Sequence, residues 1–370
     1  MRVLIAPDKF KGTLTAKAAA AAIARGWKQA RPGDRLDLLP VSDGGDGFGS
    51  TLAELRDARP VKTTAVDASG RRCVVRWWWD ATKRTAIIES ARVIGLAMLP
   101  AGKFHPFELD TQGLALVLRA AANRGARRCV VGLGGSATND GGFGLARGLG
   151  WKFFDGSENE IKRWTDLAKL ARIEAPKGQN WPRQIIAAVD VHNSLLGARG
   201  CTRVYGPQKG LRPEEFAKCE AALRRLAAVV RGQLGEDFAT KPGAGAAGGL
   251  GFGLATFAGA SFEPGFDLIA RVARLDKKVS RADVVITGEG RLDRSTLMGK
   301  GVGELAARCR RLGVPCIAFG GCVADRRALA GKFSFVGALT DLTTPVRAQK
   351  GAGQWLGRLA SVAARRMQWT

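Results

Sequence analysis

Five turns of this chain combine glycine with acids or small hydroxyl side chains, and together they carry the parts of one reaction. The longest is Gly132-Leu-Gly-Gly-Ser-Ala-Thr-Asn-Asp-Gly-Gly142, and the others are Asp43–Gly47, Asp190–Asn193, Pro242–Gly253 and Thr287–Asp293. Glycine lets a backbone reach positive φ and approach a ligand with no Cβ in the way. A helix start adds unpaired N–H groups at the positive end of its dipole, which suits a phosphate. Acids stand among these turns at Asp43, Asp46, Asp190, Glu289 and Asp293. Carboxylates able to hold Mg²⁺, beside amides able to hold phosphate, are the components of phosphoryl transfer. Residues 130–144 also have a plainer reading, a capped helix with Asn139 or Asp140 as N-cap.

Four lysines come with these turns. Lys9 and Lys11 lie in Ala-Pro-Asp-Lys-Phe-Lys-Gly after the first strand, Lys209 in Tyr-Gly-Pro-Gln-Lys-Gly, and Lys300 opens a helix. Each has a solvated reading beside the functional one; at 209 and 300 the flanking glycine- or proline-rich turns fix the lysine more firmly. Other nucleotide motifs fail. Leu297-Met-Gly-Lys-Gly301 lacks the first glycine and the hydroxyl of a P-loop. Gly243-Ala-Gly-Ala-Ala-Gly248 has the dinucleotide spacing but follows Thr-Lys-Pro rather than a strand. Gly132–Ala137 does follow a strand, yet no acid-ended strand comes about twenty residues later, which weakens a dehydrogenase. Only His105 and His192 occur, so a protein-kinase catalytic loop and a His-rich metal site are absent and a Ser-His-Asp triad is disfavoured.

The elements that must position these turns alternate. Strands are predicted at 2–6 and 35–41, with a helix from about Thr15 between them; near the other end strands at 283–287, 314–320 and 333–339 alternate with helices at 299–312 and 353–367. Buried strands alternating with helices imply a parallel, doubly wound sheet. The fold class is therefore α/β, with one Rossmann-like domain made from both chain ends (1–58 and 278–370) and a second α/β domain inserted at 59–277. Within the insert, runs at 61–66, 72–79 and 84–89 joined by Asp-Ala-Ser-Gly and Asp-Ala-Thr-Lys turns predict an antiparallel sheet, with Trp77–Trp79 filling space in it. A helix at 111–124, the strand–turn–helix around 132–142, a strand at 184–190 and helices at 213–232 and about 246–258 complete it.

The 370 residues, 46% hydrophobic, suffice for two cores. No apolar run is long enough to cross a membrane. Seven cysteines are scattered with no Cys-x-x-Cys pair, and acid and base occur by residue 9, so a cytoplasmic, reduced protein is expected. The net charge of +25 favours anionic partners. Its Arg and Lys pairs are spread over the whole length, without a basic tail or an aromatic-interleaved basic strand, which reads as solvated surface rather than a nucleic-acid interface.

Six segments in order resemble the bacterial type-1 glycerate kinases: Ile5-Ala-Pro-Asp-Lys-Phe-Lys-Gly-Thr-Leu14, Ser42-Asp-Gly-Gly-Asp-Gly47, Gly132–Gly142, Val204-Tyr-Gly-Pro-Gln-Lys-Gly210, Pro242–Leu250 and Thr287-Gly-Glu-Gly-Arg-Leu-Asp293. The resemblance implies ATP-dependent phosphorylation of glycerate, usually on the 2-hydroxyl, by a Rossmann-like domain carrying an inserted α/β domain. Two stretches depart from the family pattern. Asp190-Val-His-Asn-Ser194 stands where the family has Asp-Val-Asp-Asn-Pro, and Gln112-Gly-Leu-Ala-Leu116 where it has Tyr-Gly-Thr-Gly-Glu.

The expected site follows. ATP phosphates lie against Gly134, Gly135, Ser136, Ala137 and Thr138, and against Gly245 and Gly248, with Lys300 beside the nucleotide. Asp43 and Asp46 hold Mg²⁺. Asp190 is the base on the acceptor hydroxyl; Lys9, Lys11 and Arg291 pair the glycerate carboxylate or the transferring phosphoryl, and Lys209 is a further catalytic candidate. The partners are a small anionic substrate, neither membrane nor nucleic acid, and a second copy of the chain as a candidate. A kinase for a related small hydroxy acid and a catalytically inactive nucleotide-binding homologue are the alternatives.

Overall fold

The computed structural model describes residues 1–42, 44–45, 47–297 and 301–366, and it divides into two compact units. One is Met1–Asp43 with Phe266–Thr370, the other Gly44–Gly265. The divisions fall at 43/44 and 265/266, where the sequence reading put them at 58/59 and 277/278. The helix Phe48–Leu55 explains the first difference. Its buried residues Phe48, Gly49, Leu52 and Ala53 face the second unit's own strands, and a Cβ on Gly49 would lie 2.7 Å from both Glu89 and Trp78. At the other end, Arg308 ties Asp267 and Asp276 into the first unit at 2.6 and 2.9 Å.

The first unit is an all-parallel five-stranded sheet in the order Phe335–Ala338, Cys316–Val323, Val284–Leu292, Arg2–Ile5, Arg35–Leu38. Val3, Ile5, Val284, Ile286, Ile317 and Phe319 make its buried face. The helices Ala16–Ala30 and Ala352–Arg366 cover that face, each with a stripe of buried alanines and larger apolar residues at helical spacing. Thr15 caps the first helix by accepting a hydrogen bond from the Ala18 amide at 3.1 Å. The helices touch backbone to backbone, since a Cβ on Gly26 would fall 1.8 Å from the Gly357 carbonyl oxygen.

The sequence expectation is corrected at Thr287–Asp293. Thr287-Gly-Glu-Gly-Arg-Leu continues the strand Val284–Leu292 rather than turning, and it stays paired with Cys316–Val323 as far as Leu292 and Val323. Close approach accounts for the glycines: a Cβ on Gly288 would meet the Phe319 carbonyl oxygen at 2.1 Å.

The second unit holds a six-stranded mixed sheet, ordered Ser261–Glu263, Gln184–Ala188, Arg128–Gly132, Thr85–Glu89, Arg72–Asp80, Arg59–Val66. The three strands expected to be antiparallel are so, and Thr85–Glu89 also pairs in parallel with Arg128–Gly132, which makes one sheet of the whole set. Trp77 is buried in it, its indole N–H donating to Thr63 Oγ1 at 2.9 Å. A two-stranded sheet, Lys152–Asp155 with Leu170–Glu174, was not foreseen; it sets Phe153 in a second core beside Phe143, Phe257 and Trp164. The helix expected at about 246–258 is broken near its start, where Ala247, Gly248 and Gly249 have φ of 54, 72 and 85°. All seven cysteines are free. Among the described residues, no helix is long and apolar enough to cross a membrane.

Candidate active site

The parallel strands of the second unit end in one row. Glu89, Gly132, Ala188 and Glu263 are register partners across four neighbouring strands. Ligands of open α/β sheets bind beyond such carboxyl ends, and there the chain turns into Ser90, Leu133–Gly142 and Asp190. The 132–142 loop lies along Ser90–Leu96. The Leu96 amide donates to the Gly135 carbonyl at 2.9 Å, the Ala137 amide to Ile94 at 2.9 Å, and the Gly134 amide reaches Ser90 Oγ at 3.4 Å.

The helix that follows, Phe143–Leu149, has Gly142 as its N-cap at a φ of 77° rather than the expected Asn139 or Asp140, though Asp140 still takes up amides at its start. Asp140 is fully buried and accepts from the amides of Gly142 and Gly144 at 3.1 and 2.9 Å, and from the amide and hydroxyl of Thr111 at 2.9 and 2.7 Å. Thr111 Oγ1 in turn accepts from the Leu145 amide at 2.8 Å. The first N–H groups of Phe143–Leu149 are thus satisfied inside the protein and are not offered to an anion. Burial raises the Asp140 carboxyl above its ordinary range. Asp110 beside it is pushed up to about 6, by burial first and then by the charge of Asp140.

What remains open lies earlier in the loop, around one lysine. Lys209 is 6% exposed, and its Nζ donates to the Thr138 carbonyl at 2.6 Å and to Ser136 Oγ at 3.1 Å. Burial brings its pKa down to about 8. The broken helix start closes over it: a Cβ on Gly248 would sit 2.8 Å from Lys209 Nζ and 1.9 Å from the Thr138 carbonyl, and the Gly141 amide donates to the Gly248 carbonyl at 3.1 Å. Only a residue without a side chain passes there, at a φ of +72°. Thr138 Oγ1 and Asn139 Oδ1 are buried without a hydrogen-bond partner among the described residues. Buried hydroxyl and amide groups left unpaired cost free energy, and a hydroxyl, a serine and a buried ammonium at one glycine-walled point suit phosphate oxygens.

Asp190, two residues past the strand Gln184–Ala188, accepts from the Gly265 amide at 3.0 Å, and a Cβ on Gly44 would fall 2.0 Å from its Oδ2. Gly245 is held by the Asn193 carbonyl, to which its amide donates at 2.9 Å. The second unit therefore brings Ser136, Thr138, Lys209 and Gly248 into contact, and carries Gly134, Gly135, Ala137, Asp190 and Gly245 on the same loops.

Lys9, Lys11 and Arg291 belong to the first unit. The Asp8 amide donates to the Gly288 carbonyl at 2.8 Å, and Gly290 lies against Lys11, a Cβ there falling 3.1 Å from its amide nitrogen. Arg291 is 67% exposed and ion-paired to Asp293 at 3.1 Å. Asp43, Asp46 and Lys300 lie outside the described residues. Among the described residues, no group of three or more His, Cys, Asp or Glu is arranged to hold a metal ion.

Sequence reasoning missed Glu89 and Ser90. Glu89 is 2% exposed, accepts from the Gly49 amide at 2.7 Å and pairs with Arg92. An acid closing the apolar run Ala86-Ile-Ile was the signal available. Thr111, fully buried on Asp140, carried none.

Parallel strands that end in glycine-walled turns around a buried lysine and an unsatisfied threonine hydroxyl define an α/β phosphotransferase. Comparison with known proteins narrows the class. A model of the glycerate kinase family matches residues 3–368. The chain is 36% identical to the glycerate kinase of Bacillus subtilis (strain 168) over 87% of its own length and 85% of that protein. It is 33% identical to the glycerate 2-kinase of Escherichia coli (strain K12), over 88% and 86%. A crystal structure of a protein assigned as glycerate kinase 2 from Salmonella typhimurium LT2 superposes with a TM-score of 0.83 at 32% identity, over 98% and 97% of the two chains. The chain belongs to the glycerate kinase family; it is a nucleotide-using kinase whose acceptor is a small alcohol-bearing acid.

Proposed function

We propose that this chain transfers the γ-phosphoryl group of ATP to the 2-hydroxyl of D-glycerate in the cytoplasm, yielding 2-phosphoglycerate. The observation that carries the reading is the buried Thr138 hydroxyl, without a hydrogen-bond partner among the described residues, one residue from Ala137 and on the residue whose carbonyl holds Lys209 Nζ. Ser136 Oγ, Thr138 Oγ1 and the Lys209 ammonium bind phosphate oxygens, with Gly134, Gly135, Ala137, Gly245 and Gly248 letting the backbone come close, and Lys300 adding charge. A buried ammonium pairs with phosphate far more strongly than a solvated one, because the surrounding dielectric is low.

Asp190 orients and deprotonates the acceptor hydroxyl; a positioned base of this kind contributes about 10²–10⁴-fold in rate. Its bond to the Gly265 amide fixes the carboxylate for that role. Lys9, Lys11 and Arg291 pair the glycerate carboxylate or the transferring group, and the bidentate fork of Arg291 suits a carboxylate. Mg²⁺, when bound, neutralises charge on the phosphate oxygens, and its assignment to Asp43 and Asp46 rests on the segment Ser42-Asp-Gly-Gly-Asp-Gly47. The needed carboxylates are one or two, so a three-acid cluster is not required.

The test is ADP release from ATP and Mg²⁺ with D-glycerate, beside other two- and three-carbon hydroxy acids and a reaction without acceptor, with phosphorus NMR for the position. Stimulation by glycerate and a 2-phosphate product support the reading. Stimulation by another acid alone shifts the substrate, through the altered residues at 112–116 and 192. ATP binding with no stimulation by any acceptor makes the chain a non-catalytic nucleotide binder and overturns it.

A further inference from the structure

The first unit carries a second concavity at the opposite edge of its sheet from Lys9 and Asp293. Arg2 and Arg35 are the first residues of their strands and direct register partners, and Ala282 lies just before the strand Val284–Leu292. Against these amino ends the segment Ala273–Ala282 borders an open pocket of about 530 Å³. Its wall holds six cations, Arg2, Arg35, Arg274, Lys277, Lys278 and Arg281, with Asp37 as its one acid. Lys278 is ion-paired to Asp37 at 2.6 Å, which uses that acid. Among the described residues, no carboxylate pairs with the side chain of any of the other five cations. Of its apolar lining residues Val3 and Leu4 are 1% and Ala273 7% exposed, so the partly exposed Leu36 makes most of its apolar floor.

Like charges side by side on neighbouring strands oppose folding, and several other arginines of the first unit are paired: Arg308 with Asp267 and Asp276, Arg326 with Asp341, Arg31 with Asp34. Here five unpaired cations share one concavity. We propose that this cavity is a second binding site, separate from the phosphoryl-transfer site, for a small polyphosphorylated metabolite. Its volume falls in the range of small-ligand sites. The cations surround a hollow rather than forming the stripe that tracks a nucleic-acid backbone. Guanidinium and ammonium groups in this number match a chain of phosphates, with Arg2 and Arg35 able to bind bidentately.

The proposal is tested by calorimetric titration of the full-length protein with inorganic tripolyphosphate. Lys277→Gln with Arg281→Gln is the test variant, because among the described residues neither side chain has a hydrogen-bond or ion-pair partner to lose. Lys62→Gln with Arg76→Gln, exposed partners on the other unit's antiparallel strands, removes equal charge elsewhere. The expected result is loss of one tripolyphosphate site, or at least tenfold weaker binding at it, in the first variant only, with the steady-state KM for ATP unchanged. Non-hydrolysable adenosine and guanosine triphosphate analogues form parallel arms. Tighter binding of either at this site than of tripolyphosphate assigns the floor to a base; equal binding assigns the site to the phosphates alone. Unchanged stoichiometry and affinity in Lys277→Gln with Arg281→Gln overturns the site. Equal weakening in both variants shows a general charge effect and overturns it as well. Preferential, variant-sensitive binding of a 20-nucleotide DNA or of anionic vesicles replaces it with a macromolecular surface.

Discussion

Lys209 Nζ rests 2.6 Å from the carbonyl oxygen of Thr138, on a residue whose own hydroxyl is buried without a partner among the described residues. One short contact thus joins a loop after a parallel strand to a lysine some seventy residues later. The lysine is anchored through its hydrogen bonds, and among the described residues no carboxylate forms an ion pair with it, which is the arrangement the proposed phosphate site needs.

Replacing Lys209 by Met should lower kcat/KM for ATP by about 10–100-fold, the effect of losing one charge-assisted hydrogen bond of about 1.5–3 kcal/mol. The pH dependence has a definite sign. In the folded protein the ammonium loses its proton near pH 8, whereas the unfolded chain holds it to about 10.5. Between those values the unfolded chain binds more protons, so stability without nucleotide should rise with pH across that window. Nucleotide binding needs the charged form and should weaken over the same range. Urea titrations and ATP affinity measured at pH 7, 8 and 9.5 check both slopes.

Gly248 and Gly232 should respond in opposite directions to alanine. At Gly248 the new methyl would meet the Thr138 carbonyl at 1.9 Å in a backbone with φ of +72°. Overpacking and a left-handed alanine together should cost about 2–4 kcal/mol and reduce ATP binding. Gly232 lies in the helix Phe216–Leu234 with nothing within 4 Å of a would-be Cβ, so alanine should gain about 0.5–1 kcal/mol there. Denaturant midpoints of the two variants decide the matter.

Much of this was legible beforehand, and for physical reasons. Helix and buried-strand periodicity in Ala16–Ala30 or Arg128–Gly132 is local, so it survives without knowledge of the partner elements. The glycine runs marked where backbones come close. They did not say what approaches: at Gly288 it is another strand, at Gly248 a carbonyl and a lysine. The helix start at 143 shows the other limit. Whether its amides face a ligand or Asp140 and Thr111 depends on a threonine about thirty residues upstream, and no local pattern carries that pairing. Glu89 likewise looks like any strand-end acid until its parallel neighbours align it with Gly132.

Asp110, beside Asp140, should make the protein lose stability as pH rises through the weakly acidic range. The folded protein keeps the Asp110 proton up to about pH 6, while the unfolded chain releases it near 3.8. Between those values the folded state binds more protons, so stability falls with rising pH. Asp110→Asn keeps an oxygen to accept from the Gln112 amide, a bond of 2.9 Å in the present protein. The variant should therefore be more stable at pH 7.5, by on the order of 1–3 kcal/mol, with the gain gone below pH 4. Equal denaturation midpoints at pH 7.5 would show that the two carboxylates are not in conflict.

Asp190 separates catalysis from folding more cleanly than any other residue of the site. Its carboxylate accepts from the Gly265 amide at 3.0 Å, and an asparagine can present the same oxygen to the same donor. Asp190→Asn should thus hold its melting temperature while kcat falls by about 10²–10⁴-fold, because the amide cannot take a proton. The KM for ATP should stay near its original value if Ser136, Thr138 and Lys209 hold the phosphates as proposed. Asp190→Ala removes the Gly265 bond too and should lose about 1 kcal/mol of stability besides. A normal kcat in Asp190→Asn would take the base elsewhere. A fallen melting temperature in that variant would make the carboxylate a structural clamp on Gly265, and the comparison with alanine separates the two.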